Sequence, residues 1–414
     1  MQVLIINQPL CNRGDESAHR ALVRSIIKAK PDVRITVLFD TYTEEQIDAF
    51  QVMSPQVEYV LIRIPRPYSI LNRIYHKLRN LVLRKSYMRW TWFVEPTLRK
   101  IRYYYVNADL VLNAPGGICM GGFQNWHHIE GLRIAKLFKR PIIYYGRSFG
   151  PFPTETESNR LFKQYSLEML RYFSFLSIRD KKTEHLAIEL GIPYESTLDS
   201  AFLEQPYVEI PKEVKELIAG KPYMVFVPNI LIWHYAYKDK LTKQQIISFY
   251  SEMAEIMLQA HNECNIIMLP QTFMFGDYEN DDVCLFHDIA KNMNNERIIV
   301  LPDTYSSDLQ QTLISDATLL VGARYHSIVF AINNNVPFVA LSYEHKIEGL
   351  LEALDKKDCM IDISSVSTEQ GRSEINKSVK YLLPLISKDE KATKKAKAVA
   401  MNCFSKFVSR FLTE

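Results

Sequence analysis

At 414 residues the chain exceeds what one hydrophobic core comfortably serves, so two domains are expected. With 47% hydrophobic and 23% charged residues it reads as globular and soluble, and no apolar run approaches the roughly 18 residues of a membrane span. Fifty basic residues against 47 acidic ones leave a net charge of +3, which gives no whole-chain reason to expect nucleic acid.

Val3 to Asn7 is a short apolar, β-branched run, a buried strand with neither the flank nor the length of a signal peptide. Cys11-Asn-Arg-Gly-Asp-Glu-Ser17 follows, then a helical stretch from Ala18 to Lys28. A single Gly14 is not the glycine fingerprint of a dinucleotide site. Asp15 is a plausible helix N-cap, and Asn12, Gly14 and Asp15 together either cap that helix or face a ligand with its exposed N–H groups. Arg34–Phe39 and Val57–Ile62 read as strands around a helix from Thr43 to Met53.

The segment 63–105 departs from this alternation. Eleven Arg and Lys residues lie between Arg63 and Arg102 with Glu95 as the one acid, and tyrosines and tryptophans are interleaved with them. Ile70, Ile74, Leu78 and Leu81 share one helical face. Such a basic aromatic helix suits an anionic membrane surface or a charged glycolipid, and it equally suits a packed hairpin with a solvated basic side.

Strands resume at Leu110–Asn113, Pro141–Tyr145 and Phe173–Ile178, with helices at Ile129–Phe138, Phe162–Tyr172 and Lys181–Leu190. The glycines of Ala114–Phe123, Gly116 and Gly117 first among them, predict a loop that lets backbone approach a ligand, and Gly146 opens a second such loop. Arg179 stands at a carboxyl strand end. A linker is expected from Glu204 to Lys221.

The second half repeats the pattern. Strands are expected at Tyr223–Val227, Asn265–Leu269, Arg297–Leu301, Ala317–Val321 and Val336–Leu341, with helices between them and a lysine-rich helical tail. Gln271-Thr272 is either polar lining or loop packing, and Asp281-Asp282 reads as a solvated helix start. Alternation in both halves predicts an α/β chain of two doubly wound, parallel-sheet, Rossmann-like domains facing a cleft. The expected division is 1–205, carrying the insertion 63–105, then 206–388, then a terminal helix at 389–414.

The stretch from Asp316 to Leu351 carries the densest chemistry. Arg324 and His326 follow one strand, and Tyr343, Glu344 and Lys346 follow the next. Ligands of parallel α/β sheets bind at that carboxyl edge. Arg324, Lys346 and Arg179 would hold a small, highly charged anion, and His326 could move a proton near neutral pH. Six scattered cysteines without CxxC spacing suit reduced thiols in a cytoplasmic protein, and no metal site is expected.

These pieces together resemble the polysaccharide pyruvyl transferases. The matching residues are Asn12-Arg-Gly-Asp15, Gly116-Gly117, Gly146 to Pro151, Ser177-Ile-Arg-Asp180, Leu198-Asp-Ser-Ala-Phe202, Gly322-Ala-Arg-Tyr-His326 and Tyr343-Glu-His-Lys346, with Lys346 twenty residues beyond His326. The resemblance implies a fold similar to the GT-B glycosyltransferases. It also implies transfer of the pyruvyl group of phosphoenolpyruvate, as a ketal, to a sugar of a polysaccharide or lipid-linked oligosaccharide, with release of phosphate. His326 and Arg179 would be catalytic, His326 as proton donor or as phosphate ligand. Phosphoenolpyruvate would be a co-substrate and no cofactor would be needed. The segment 63–105 lies outside the family pattern, so peripheral contact with the cytoplasmic face of a membrane is an added expectation. Two rival readings are a GT-B glycosyltransferase using a nucleotide sugar and a non-catalytic, membrane-associated polysaccharide-assembly protein.

Overall fold

The computed structural model describes residues 1–39, 42–62, 74, 96–122, 124–218, 220–232, 234, 236–273, 281–302, 305–343 and 345–413. The chain forms two compact units. One comprises Met1–Leu10, Ala18–Ser200 and Met401–Glu414, and the other Cys11–Ser17 and Ala201–Ala400.

Apolar, β-branched runs become the strands of the first unit. They are β1 (Gln2–Ile6), β2 (Arg34–Phe39), β3 (Val57–Leu61), β4 (Leu110–Asn113), β5 (Gly116–Met120), β6 (Ile142–Tyr144), β7 (Arg147–Phe149), β8 (Phe175–Ile178) and β9 (Glu195–Ser196). Seven of them make one parallel sheet in the order β3-β2-β1-β4-β6-β8-β9. The order reverses between β1 and β4. Right-handed crossovers then put helices on both faces, so the central strands are buried on both sides and read as continuous apolar runs. The helices are α1 (Arg13–Ala29), α2 (Glu44–Asp48), α3 (Pro96–Asn107), α4 (Trp126–Leu137), α5 (Glu157–Leu170) and α6 (Lys181–Glu189). Leu98, Ile101, Leu132 and Phe162 from these helices pack with Ile6 and Tyr144 of the sheet in one core.

The second unit is built alike. Its strands are β10 (Tyr223–Val227), β11 (Asn265–Met268), β12 (Ile298–Val300), β13 (Leu319–Gly322), β14 (Phe338–Ser342) and β15 (Met360–Asp362), ordered β12-β11-β10-β13-β14-β15 and parallel throughout. Its helices are α7 (Lys212–Ile218), α8 (Lys243–Ala260), α9 (Asp282–Met293), α10 (Ser307–Ser315), α11 (Tyr325–Asn333), α12 (His345–Ala353), α13 (Glu369–Leu382) and α14 (Glu390–Phe411). Phe407 of α14 belongs to the first unit, where it lies 5.9 Å from the Tyr145 ring and 6.0 Å from Phe175.

The structure departs from the sequence expectation at several points. The expected glycine loop after β4 is the strand β5, which pairs in parallel with β7 in a ladder of its own. Gly116 and Gly117 therefore sit in a strand, where the glycines had hidden the apolar Ile118 and Met120. Gly146 (φ +56) is the turn into β7, and its N–H donates to Ser177 Oγ at 2.8 Å. The helix α1 begins at Arg13, so Asp15 lies in its first turn. Asn12 provides the cap instead, its side chain accepting from the Gly14 N–H at 2.7 Å. The expected linker contains α7. Within 63–105, residues from Pro96 onward are α3, and the membrane-facing expectation falls on 63–73 and 75–95, outside the described residues. No helix among the described residues is long and apolar enough to cross a membrane.

Candidate functional site

The second sheet reverses its strand order between β10 and β13, and Val227 lies beside Gly322 at their carboxyl ends. A crevice opens at such a reversal, because the two neighbouring connections leave for opposite faces. Gly322 makes the turn there possible: a Cβ on it would come within 2.2 Å of Ser327 Oγ. Ser327 Oγ in turn donates to the Arg324 carbonyl at 2.6 Å, closing the turn into α11. No side chain caps α11 at Arg324, and the positive end of the helix dipole at that turn favours anions.

Arg324 is buried, and its Nη2 donates to Oδ1 of Asp282, which has no exposed surface. The other oxygen, Oδ2, accepts the Gln271 N–H at 3.0 Å and the Thr272 N–H at 2.8 Å. Burial pushes the Asp282 carboxyl up, opposed by the Arg324 charge and by those two N–H groups. The carboxylate thereby holds one arginine in a fixed pose and ties it to the carboxyl end of β11. This overturns the reading of Asp282 as part of a solvated helix start. Asp281 is buried too, but it does start the helix, capping α9 through the Val283 N–H.

His326, on the first turn of α11, lies with its ring 5.0 Å from Tyr325 and 6.4 Å from Phe330. Across from it stands Gly14. A Cβ there would fall 1.8 Å from His326 Nδ1 and 1.9 Å from Cγ, so the ring occupies the space of a missing side chain. The segment carrying Gly14 is fixed by backbone pairing. Arg13 N–H donates to the Gln271 carbonyl (2.8 Å), Phe273 N–H to the Cys11 carbonyl (3.1 Å), and Asn12 Nδ2 to Thr272 Oγ1 (3.0 Å). Glu16 is buried and anchors the same turn, accepting from the N–H of Ser307 at 3.1 Å and pairing with Arg13. Asn12, Gly14, Arg324 and His326 thus come together with Asp282 and Gln271 in one unit. Gly14→Ala is expected to displace the imidazole and to lower turnover about a hundredfold, the scale of a misplacement near 1 Å. Steady-state kinetics beside a thermal melt would check it, and a wild-type kcat would sink the claim.

Lys346 and Tyr343 follow β14, the strand next to β13. Lys346 is half-buried in the first turn of α12. Tyr343 sits in an aromatic group with His234 (5.7 Å) and Tyr237 (6.5 Å), and its carbonyl accepts from Tyr237 Oη. Glu344 lies outside the described residues. Sequence reasoning left out His234 and Tyr237, read Asp282 as solvated, and left Gln271 between polar lining and loop packing. The Gln271 side chain is 1% exposed, and neither its amide nitrogen nor its oxygen has a hydrogen-bond partner among the described residues. An unpartnered amide so placed is a ready ligand group.

Arg179 is in the first unit, at the end of β8, buried and paired with Asp199. Asp180 caps α6 through the Thr183 N–H at 2.8 Å, and Ser148 Oγ donates to it. The motifs Ser177–Asp180 and Leu198–Phe202 therefore meet through an ion pair. Each sheet presents one arginine held by one buried aspartate. This differs from a row of bare cations because a buried guanidinium is stable only beside a counter-charge.

Donor atoms of His261, Glu263 and Cys264 lie within 4.8 Å of one another. Burial raises the Cys264 thiol, and the Arg297 guanidinium donates to the carbonyls of both His261 and Cys264.

The sequence profile of polysaccharide pyruvyl transferases matches residues 12–345. The amylovoran biosynthesis protein AmsJ of Erwinia amylovora is 21% identical over 400 residues, spanning 91% of each chain. Among solved structures, the UDP-GlcNAc 2-epimerase of Neisseria meningitidis bound to UDP-GlcNAc has a TM-score of 0.54 at 11% identity, covering 98% of this chain and 100% of that one. Arabidopsis thaliana UGT89C1 complexed with quercetin has a TM-score of 0.54 at 12% identity, covering 99% of both chains. The two structural likenesses establish a GT-B-type fold.

Proposed function

The chain belongs to the polysaccharide pyruvyl transferase family, and from that premise we propose that it transfers the pyruvyl group of phosphoenolpyruvate to a sugar as a ketal. The observation that supports this most is the juxtaposition of His326 with a carboxylate-held Arg324 at the reversal point of the second sheet. Phosphoenolpyruvate is compact and carries a carboxylate and a phosphate. Arg324, Lys346 and the first turn of α11 would bind those groups, with the Gln271 amide as a further donor.

The chemistry balances as follows. His326 gives a proton to the methylene carbon, leaving an oxocarbenium-like centre at the adjacent carbon. A sugar hydroxyl adds there and loses its proton. The C–O bond to phosphate then breaks, and a second hydroxyl closes the ketal. The first hydroxyl returns its proton to the His326 imidazole, replacing the one now in the new methyl group, and the second hydroxyl's proton leaves with the phosphate as hydrogen phosphate. Similarity to a protein of amylovoran biosynthesis makes an exopolysaccharide, or its lipid-linked precursor, the acceptor proposed here.

The test compares donors. Phosphoenolpyruvate is expected to raise the melting temperature and to release phosphate in the presence of a glycan acceptor, while UDP-sugars do neither. A shift with UDP-sugars and none with phosphoenolpyruvate would favour the nucleotide-sugar reading instead.

A further inference from the structure

The first unit repeats the strand reversal of the second, between β1 and β4, and a cavity of about 160 Å³ lies at that point. Residues Ile6 to Pro9, which leave the end of β1, line it. Asn7 adopts the left-handed conformation (φ 60), and its Nδ2 donates to Asn113 Oδ1 at 2.9 Å and to the His128 carbonyl at 3.0 Å. A left-handed Asn at a strand end is a conformation that the surrounding structure must hold in place. Here it fixes β1, β4 and the first turn of α4 about the cavity.

Three lining groups are buried in an unusual state. His128 is 2% exposed, and its Nε2 has no hydrogen-bond partner among the described residues. Burial holds its imidazole well below the usual range, with the charges of Arg147 and His127 adding, so it is neutral. Gln8 is 3% exposed, and its Oε1 accepts nothing from the described residues. Arg147 is 1% exposed and donates to the carbonyls of Gly117 and Ala114 and to Cys119 Sγ, with no carboxylate beside it among the described residues. A buried polar atom without a hydrogen bond is costly, so such atoms mark where a ligand completes the set.

The rest of the lining identifies the ligand class. Phe39, Tyr42 and Tyr105 supply aromatic surface, while Asn125, His127 and Glu130 add donors and acceptors of both kinds. A hydroxyl donates and accepts at once, and a sugar ring alternates hydroxyls with C–H faces. A cavity well below the roughly 300–1,000 Å³ of drug-sized sites suits one ring, not a chain of them. We propose that this cavity binds one sugar ring of the acceptor, with His128 and Gln8 accepting hydrogens from its hydroxyls. The proposal rests on the transferase reading for its choice of acceptor, and its binding step can be observed without turnover.

Saturation-transfer NMR of the full chain with methyl glycosides of galactose, glucose and mannose is the direct test. Transfer to the ring protons of at least one glycoside is expected. In Gln8→Leu that transfer should be lost, and the KM for acceptor should rise at least tenfold while the KM for phosphoenolpyruvate is unchanged. His127→Ala, at an exposed position, should act in the same direction and carries the test where Gln8→Leu does not fold. No transfer from any glycoside to the wild type overturns the proposal, as does an unaltered acceptor KM in both variants. Glycoside binding without phosphate release from phosphoenolpyruvate upholds the cavity and overturns the transferase reading alone.

Discussion

His326→Ala should lower the rate of phosphate release from phosphoenolpyruvate by about 10²–10⁴-fold, the usual contribution of a positioned proton donor. The chain should remain folded. His326 lies on a first helical turn against Gly14, outside the sheet core, and alanine is the strongest helix former. The way the loss divides between constants identifies the role. Proton transfer occurs only on the way to the transition state, so kcat should fall while the KM for phosphoenolpyruvate changes little. A residue that merely held the phosphate would show the reverse, a raised KM with kcat preserved. Near-normal kcat in the variant would remove His326 from the chemistry. Gly14→Ala should reproduce part of the loss, because it moves the same ring without deleting it.

Much of this site is legible in the sequence, and what is not has a physical explanation. The strands β10, β13 and β14 are apolar and β-branched because both faces of a parallel sheet are covered. Arg324 and His326 can therefore be placed at a carboxyl edge from the run Leu319–Gly322 alone. Glycine is what misleads at β5: Gly116 and Gly117 read as a loop, yet the backbone pairs with β7. Asp282 is concealed for a different reason. Two consecutive acids at a helix start usually face water, and only the fold brings one of them against a guanidinium 42 residues away. The grouping of Cys11–Ser17 with the second unit likewise follows from pairing with Gln271–Phe273, which no local periodicity encodes. Composition can still mark such positions, since Asn12 to Ser17 is a run of polar residues and glycine a few residues past the apolar strand Val3–Ile6.

The Asp282–Arg324 pair should produce the largest stability effect in the second unit. Asp282→Ala leaves the buried Arg324 guanidinium without its carboxylate and the N–H groups of Gln271 and Thr272 without an acceptor. Breaking a buried pair from one side costs about 3–5 kcal/mol. Asp282→Asn separates the two contributions, because it keeps an oxygen for the N–H groups and removes only the charge. Arg324→Met removes the other charge while keeping an unbranched stem in the same space. In that background Asp282→Asn should cost much less than in the wild type, giving a coupling energy on the order of 1–3 kcal/mol in a denaturant double-mutant cycle. Additivity within about 0.5 kcal/mol would mean that the two side chains do not stabilise one another. The double variant should be folded and inactive. Arg324 is proposed to bind the donor's charge, and Asp282, whose carboxylate bonds Arg324 and the N–H groups of Gln271 and Thr272, to position it. A folded double variant that retained turnover would therefore exclude Arg324 from the donor site while leaving the ion pair as a structural element.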